Sequence, residues 1–225
     1  MSFETIAAIS TAIGESGLAV VRLSGTDALR IADRVLDLGK GKTLTDAPTH
    51  TVHYGHVVRD GKRIDEVLAT ILRAPRTFTR EDMVEISCHG GMLPAKLILD
   101  ALLAAGARLA GPGEFSKRAF LNGRIDLAQA EAIADLIHSR TELALRAANE
   151  QLEGKLSRRI EELREQLLAT LAHIEAHIDF PDEDISPDTR EKLTQRISGG
   201  LSFIDQLLRT AHEGQILRRG IRAAI

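Results

Sequence analysis

Cysteine occurs once, at Cys88. A lone thiol excludes a disulfide framework within the chain and a Cys-rich zinc site. It fits a reducing compartment, so a cytoplasmic location is expected. No apolar stretch is long enough to span a bilayer, and no membrane partner is expected. The first residues, MSFETIAAIS, lack a basic segment followed by a long apolar run, so no signal peptide is expected. An excess of cations is also missing. Lys and Arg number 29 against 32 Asp and Glu, giving a net charge of −3. That balance argues against a broadly basic nucleic-acid surface and leaves room only for a local basic patch. Neither G-x-x-x-x-G-K-[ST] nor G-x-G-x-x-G is present, so the chain has no recognisable cradle for nucleotide phosphates.

What is present reads as an ordinary globular protein of one or two domains: 225 residues, 44% hydrophobic and 27% charged. The first half is mixed. Leu18 to Leu23 is a compact apolar run closed by Ser24-Gly25, which predicts a strand. Asp27 to Leu38 carries a helical apolar stripe ended by Gly39. Thr51 to Val58 and Ile64 to Leu72 flank Arg59-Asp60-Gly61-Lys62, which predicts a hairpin. A short strand is expected over Met83 to Cys88, a helix over Leu93 to Ala105 and a last short strand over Arg108 to Ala110. The second half changes character. Asp126 to about Glu153 has neither Gly nor Pro. After Gly154, Leu156, Ile160, Leu163, Leu167, Leu171, Ile174 and Ile178 recur every three or four residues. A third helix is expected from Asp188 to about Gln215, weakened at Gly199-Gly200. Three long helices joined by short turns predict a bundle. The expected class is α+β, with an N-terminal mixed α/β domain over 1–120 and a helical domain over 121–225. The final RRGIRAAI reads as the start of a strand, as though a domain boundary had been cut there.

The densest chemistry lies in PGEFSKRAFLNGRIDLAQAE, residues 112–131. A turn, an acid, three cations and two aromatics stand where a loop enters a helix, whose N-terminus can add an anion site. Lys117, Arg118 and Arg124 there suit a cationic rim for a dicarboxylate or phosphate, or ordinary solvated charge. Asp126 is placed to cap the helix. Arg22 emerges from the apolar strand VVRLSG. It either closes a salt bridge at the strand end or receives a ligand carboxylate. Glu85 sits within VEISC. A carboxylate held on a strand can accept two parallel N–H bonds from an amidine-like edge such as that of a pterin, or it can simply face solvent. His89-Gly90-Gly91 reads as a turn or as a close backbone approach. His50, His53 and His56 recur every three residues without acidic or thiolate company, which points to a solvated strand before a metal site. The acidic corner from Asp179 to Asp184 reads as a helix terminator and solvated loop.

Taken in order, TIAAIST, VVRLSG, IDEVLA, FTREDMVEISCHGG, GPGEFSKRAFLNGRIDLAQAEAIADLI and IEAHIDFPDEDI resemble the MnmE (TrmE) tRNA-modification GTPases over essentially the whole chain. The resemblance implies an N-terminal domain similar to folate-binding aminomethyltransferases, then a helical domain interrupted by a GTPase domain. That GTPase domain would begin where this sequence stops. Its P-loop, Mg2+ and K+ would come from there, so this segment is not expected to hydrolyse GTP by itself. By resemblance, the N-terminal domain binds 5-formyl-tetrahydrofolate or another tetrahydrofolate derivative at or near a homodimer interface. Three family positions fall on Arg22, Glu85 and Arg124, the last of which is often Lys in relatives. The folate would present a one-carbon unit for C5 of the wobble uridine (U34) of certain tRNAs, together with the flavoprotein partner MnmG. A dimerising scaffold with a vestigial pocket and a free-standing folate-dependent one-carbon transferase are the alternatives.

Overall fold

The computed structural model describes residues 4–12, 14–39, 41–180 and 190–219, with side chains as far as residue 209. The chain divides into two compact units, Met1–Ile125 and Asp126–Ile225.

The first unit is a seven-stranded sheet in the order β3-β4-β5-β6-β2-β1-β7. Its strands are β1 (Ile6–Ile9), β2 (Ala19–Ser24), β3 (Leu36–Asp37), β4 (Thr51–Arg59), β5 (Lys62–Leu72), β6 (Met83–Cys88) and β7 (Arg108–Leu109). All pairings are antiparallel except β1 with β7. Alternation decides the faces. Val21 and Leu23 of β2, Ala69 and Ile71 of β5, and Val84 and Ile86 of β6 are fully buried. They pack against α1 (Ala28–Val35) and α2 (Met92–Ala104), whose Ile31, Ala32, Ile98 and Leu102 complete the same core. The opposite face carries Arg22 and Ser24 of β2, Glu85 and Ser87 of β6, and Leu68 and Thr70 of β5. A further helix, α3 (Glu114–Leu121), and the loop 73–82 meet this face at the end that carries Ser24.

The β4–β5 hairpin forms as its Asp-Gly turn predicts. Asp60 and Gly61 both take positive φ (51° and 73°), the backbone that a two-residue turn between twisted strands requires. The helix expected over Asp27 to Leu38 stops earlier, at Val35. Leu36 turns to extended backbone (ψ 129°) and pairs with Val57, so the last residues of that apolar stripe become the edge strand β3. Two elements were not expected at all. Strand β1 is only four residues, too short to show a period. Helix α3 occupies what reads in sequence as a charged loop.

The second unit contains α4 (Leu127–His138), α5 (Glu142–Leu152), α6 (Lys155–Asp179) and α7 (Arg190–Arg219). Asp126 caps α4 as expected, within a full capping box. Its carboxylate accepts from the Gln129 backbone N–H at 2.8 Å, and the Gln129 side chain accepts from the Asp126 N–H at 3.0 Å. The Gly- and Pro-free run to Glu153 is two helices, however. The Ser139 hydroxyl donates to the Leu136 carbonyl, and the Thr141 hydroxyl accepts from the Ala144 N–H, so the two side chains end one helix and cap the next. Gly199-Gly200 does not break α7. Gly200 is buried where the helix meets Leu163 of α6. Many apolar side chains of α6 and α7, among them Leu167, Leu171, Leu201 and Leu208, stay exposed. The acidic corner beyond Phe180 and the first residues of the expected third helix lie outside the described residues; of the expected final strand, Arg218 and Arg219 continue α7, and the rest lies outside them.

Candidate ligand site on the open face of the sheet

Register builds the centre of the site. Arg22 on β2 lies directly opposite Glu85 on β6, and Glu85 lies opposite Thr70 on β5. The Arg22 Nε–H donates to Glu85 Oε1 at 2.8 Å, and Nη2 lies 2.7 Å from the same oxygen. No hydrogen bond to Glu85 Oε2 is made among the described residues. Each side chain of the pair is 27% exposed, so the pair is neither sealed in the core nor free in solvent. Of the two readings left open for Arg22, the salt bridge is the one observed, and it forms on a partly open surface.

Two rings frame the pair. The Arg22 guanidinium carbon lies 5.8 Å from the Phe78 ring centroid and 5.6 Å from that of Phe115, within cation–π range of both. Phe78 comes from the loop after β5 and Phe115 from α3. Arg124 reaches the same place from beyond α3. Its guanidinium carbon lies 5.2 Å from the Phe78 centroid, and Nη1 donates to the Thr77 carbonyl at 2.7 Å. Arg22, Glu85 and Arg124 thus converge from three distant stretches of sequence around Phe78. Two guanidinium groups lie against Phe78, and among the described residues only Arg22 is paired with a carboxylate there, so Arg124 brings a second positive charge. Chemically, the site offers a free carboxylate oxygen for N–H donors, ring faces for a planar group, and surplus cationic charge for an anion.

Arg118 departs from the expected cationic rim. It is buried, with a side chain 3% exposed, because four acceptors surround it. Nη1 donates to both Glu81 oxygens at 3.2 and 3.1 Å, and Nη2 donates to Glu114 Oε1 at 3.0 Å and to the Glu4 carbonyl at 2.8 Å. Glu114 lies between two arginines. The hydrogen bond from Arg108, helped by the Gly111 N–H and by Arg118, holds its carboxyl down to about 2. The Glu114 carboxylate also accepts the Gly111 backbone N–H at 2.8 Å, so this helix start supplies its own anion. Lys117 stays on the exposed side of α3.

The other candidates lie elsewhere. Gly90 is approached by the chain's own loop. The Ser16 N–H donates to its carbonyl at 2.7 Å, and a Cβ on Gly90 would stand 2.6 Å from the Leu18 nitrogen. His89 is bound by Asp65, which accepts from its backbone N–H at 2.9 Å and contacts ring Nδ1 at 2.7 Å. This contact raises the His89 pKa. Burial pushes the Cys88 thiol up to about 11. His50 and His53 bond the hydroxyls of Thr49 and Thr51, and no cluster of three metal-binding side chains occurs among the described residues. Sequence reasoning missed Phe78 and the site role of Phe115. The available signal was that each stands within three residues of an acid and an arginine in an otherwise polar segment: Phe78 in FTRED, Phe115 in EFSKR.

Comparison with known proteins matches the sequence to a family. Residues 5–124 match the family described as "GTP-binding protein TrmE N-terminus", and residues 127–222 match the "MnmE helical domain". The proteins named tRNA modification GTPase MnmE from Bacillus velezensis and Geobacillus thermodenitrificans are each 52% identical to the chain over 225 and 226 residues, covering 99% of it. The Bacillus cereus protein of that name is 52% identical over 228 residues, covering 100%. In each case the chain spans 49% of the relative's length, so it corresponds to about half of those proteins. On its N-terminal and helical domains together, the chain belongs to the MnmE (TrmE) family.

Proposed function

We propose that this segment is the folate-binding and dimerising part of a GTPase that modifies the wobble uridine of certain tRNAs. One observation carries the reading: Arg22, Glu85 and Arg124 gather with Phe78 and Phe115 on the face of the sheet opposite α1 and α2. That donor set fits 5-formyl-tetrahydrofolate or a related tetrahydrofolate. Glu85 Oε2 would accept from the amidine-like edge of the pteridine, Phe78 and Phe115 would flank a planar ring, and Arg22 and Arg124 would hold its anionic or carbonyl groups. The bound folate would supply a one-carbon unit for the tRNA base. GTP, Mg2+ and K+ would act through a GTPase domain beyond this segment, and the flavoprotein MnmG and tRNA would be the partners. A cytoplasmic location goes with that role. Among the described residues no helix is long and apolar enough to cross a membrane.

A second reading, a scaffold that dimerises around a vestigial pocket, is favoured by one feature. Val52 (59% exposed), Tyr54 (57%) and Leu68 (47%) form an apolar patch on the same open face. Calorimetry separates the two. Heat of binding for 5-formyl-tetrahydrofolate is expected with the wild-type chain, with a loss of about 2–5 kcal/mol in Glu85→Ala and Arg22→Ala. A folded, dimeric wild type that gives no heat favours the scaffold.

A further inference from the structure

We propose that Arg118 is the positioning residue of this site, holding Phe78 and Phe115 against Arg22 by gripping the 73–82 loop and α3 at once. The inference rests on the reading of the open face as the ligand site. The segments that supply Phe78, Phe115 and Arg22 each have a neighbouring residue in the Arg118 network. Glu81, three residues after Phe78, takes both Nη1 bonds. Glu114, next to Phe115, takes one from Nη2. Ser24, two residues after Arg22 on β2, donates its hydroxyl to Glu81 Oε2 at 2.6 Å and contacts the Thr79 hydroxyl at 2.6 Å. Beyond α3, the Asn122 amide donates to the Thr79 carbonyl at 2.6 Å, so the helix is tied to the same loop at its middle and at its C-cap.

The chemistry of the brace argues for geometry over bulk stability. Two apolar side chains could fill this space without the cost of desolvating ions, and such replacements are often neutral or stabilising. A planar guanidinium fork does what they cannot, since it fixes the direction of two carboxylates on two different segments. A lysine in its place would keep the charge and lose that direction. The carboxylates that Arg118 grips are Glu81 and Glu114, so its effect on a ligand passes through the two segments, and the two rings, that they belong to.

Two variants and two readouts test this. Arg118→Met/Glu81→Gln removes both buried charges together, and Arg118→Lys keeps the charge without the fork. In the ligand-free protein, the Nε–H resonance of Arg22 reports the two neighbouring rings, and the dissociation constant for 5-formyl-tetrahydrofolate reports the site. Both variants are expected to keep the wild-type circular dichroism, to shift the Arg22 resonance and to weaken binding by roughly 10- to 100-fold, the range that outer-shell partners of metal ligands command. If the double variant does not fold, Arg118→Lys decides through the same readouts. An unchanged Arg22 resonance and an unchanged dissociation constant in a folded variant overturn the proposal. A shifted resonance in a protein whose wild type binds no folate keeps Arg118 as the brace and overturns the folate reading instead.

Discussion

Arg22 shows how a single side chain can satisfy structure and still leave an acceptor open beside it. A guanidinium leaving an apolar strand needs a counter-charge, and register places Glu85 opposite to provide one. Because both contacts fall on one oxygen, the other remains an acceptor. The rings make a separable contribution. Phe115→Leu is expected to keep the fold and weaken 5-formyl-tetrahydrofolate by about 0.5–2 kcal/mol, the range of a cation–π contact plus lost stacking, as read by calorimetry. Two titrations also belong at this scale. Glu114 is depressed to about 2, chiefly by Arg108, so its contribution to stability is complete above the ordinary carboxylate pKa and is lost as pH falls toward about 2. Thermal melts are expected to show a steeper acid loss for the wild type than for Glu114→Gln. His89 has the opposite sign. Its pKa is raised, chiefly by the hydrogen bond with Asp65, so that contact stabilises below the ordinary histidine value and fades as pH rises through the folded one. Its ring proton resonances are expected to titrate above the ordinary histidine value, and to fall back in Asp65→Asn.

At the scale of elements, what was legible depended on whether local signals agreed. Asp60-Gly61 between two alternating runs, and Asp126 followed three residues later by Gln129, each carry their own geometry, so the hairpin and the start of α4 could be read directly. Asp126→Ala is expected to cost about 0.5–2 kcal/mol, seen as lower thermal stability with reduced helical signal. Helix α3 was not legible, because half of its residues (Glu114, Ser116, Lys117 and Arg118) are polar or charged and its burial is made by ion pairs instead of an apolar stripe. The same reason hid Arg118, which reads as a surface cation until Glu81 arrives from 37 residues away. The break at Ser139-Arg140-Thr141 was overlooked because Ser and Thr are tolerated inside helices, and here their hydroxyls bond the backbone. Arg22, Glu85 and Arg124 could be named through resemblance, whereas their meeting around Phe78 depends on long-range pairing that no local pattern encodes.

For the molecule as a whole, the sheet of the first unit has one face covered by α1 and α2, and an opposite face that α3 and the 73–82 loop meet at one end. The site residues and the patch of Val52, Tyr54 and Leu68 share that open face. If a second copy covers the patch, Leu68→Glu is expected to shift the chain from dimer toward monomer in sedimentation equilibrium, since a charge placed in an apolar interface must be desolvated. The central claim is that this open face grips a reduced pteridine. A crystal structure of the chain with 5-formyl-tetrahydrofolate tests it most directly. The account predicts the pteridine edge in hydrogen-bond contact with Glu85 and its ring beside Phe78 or Phe115. Ligand seated away from Arg22, Glu85 and Arg124, or a site that stays empty at saturating concentration, would contradict it.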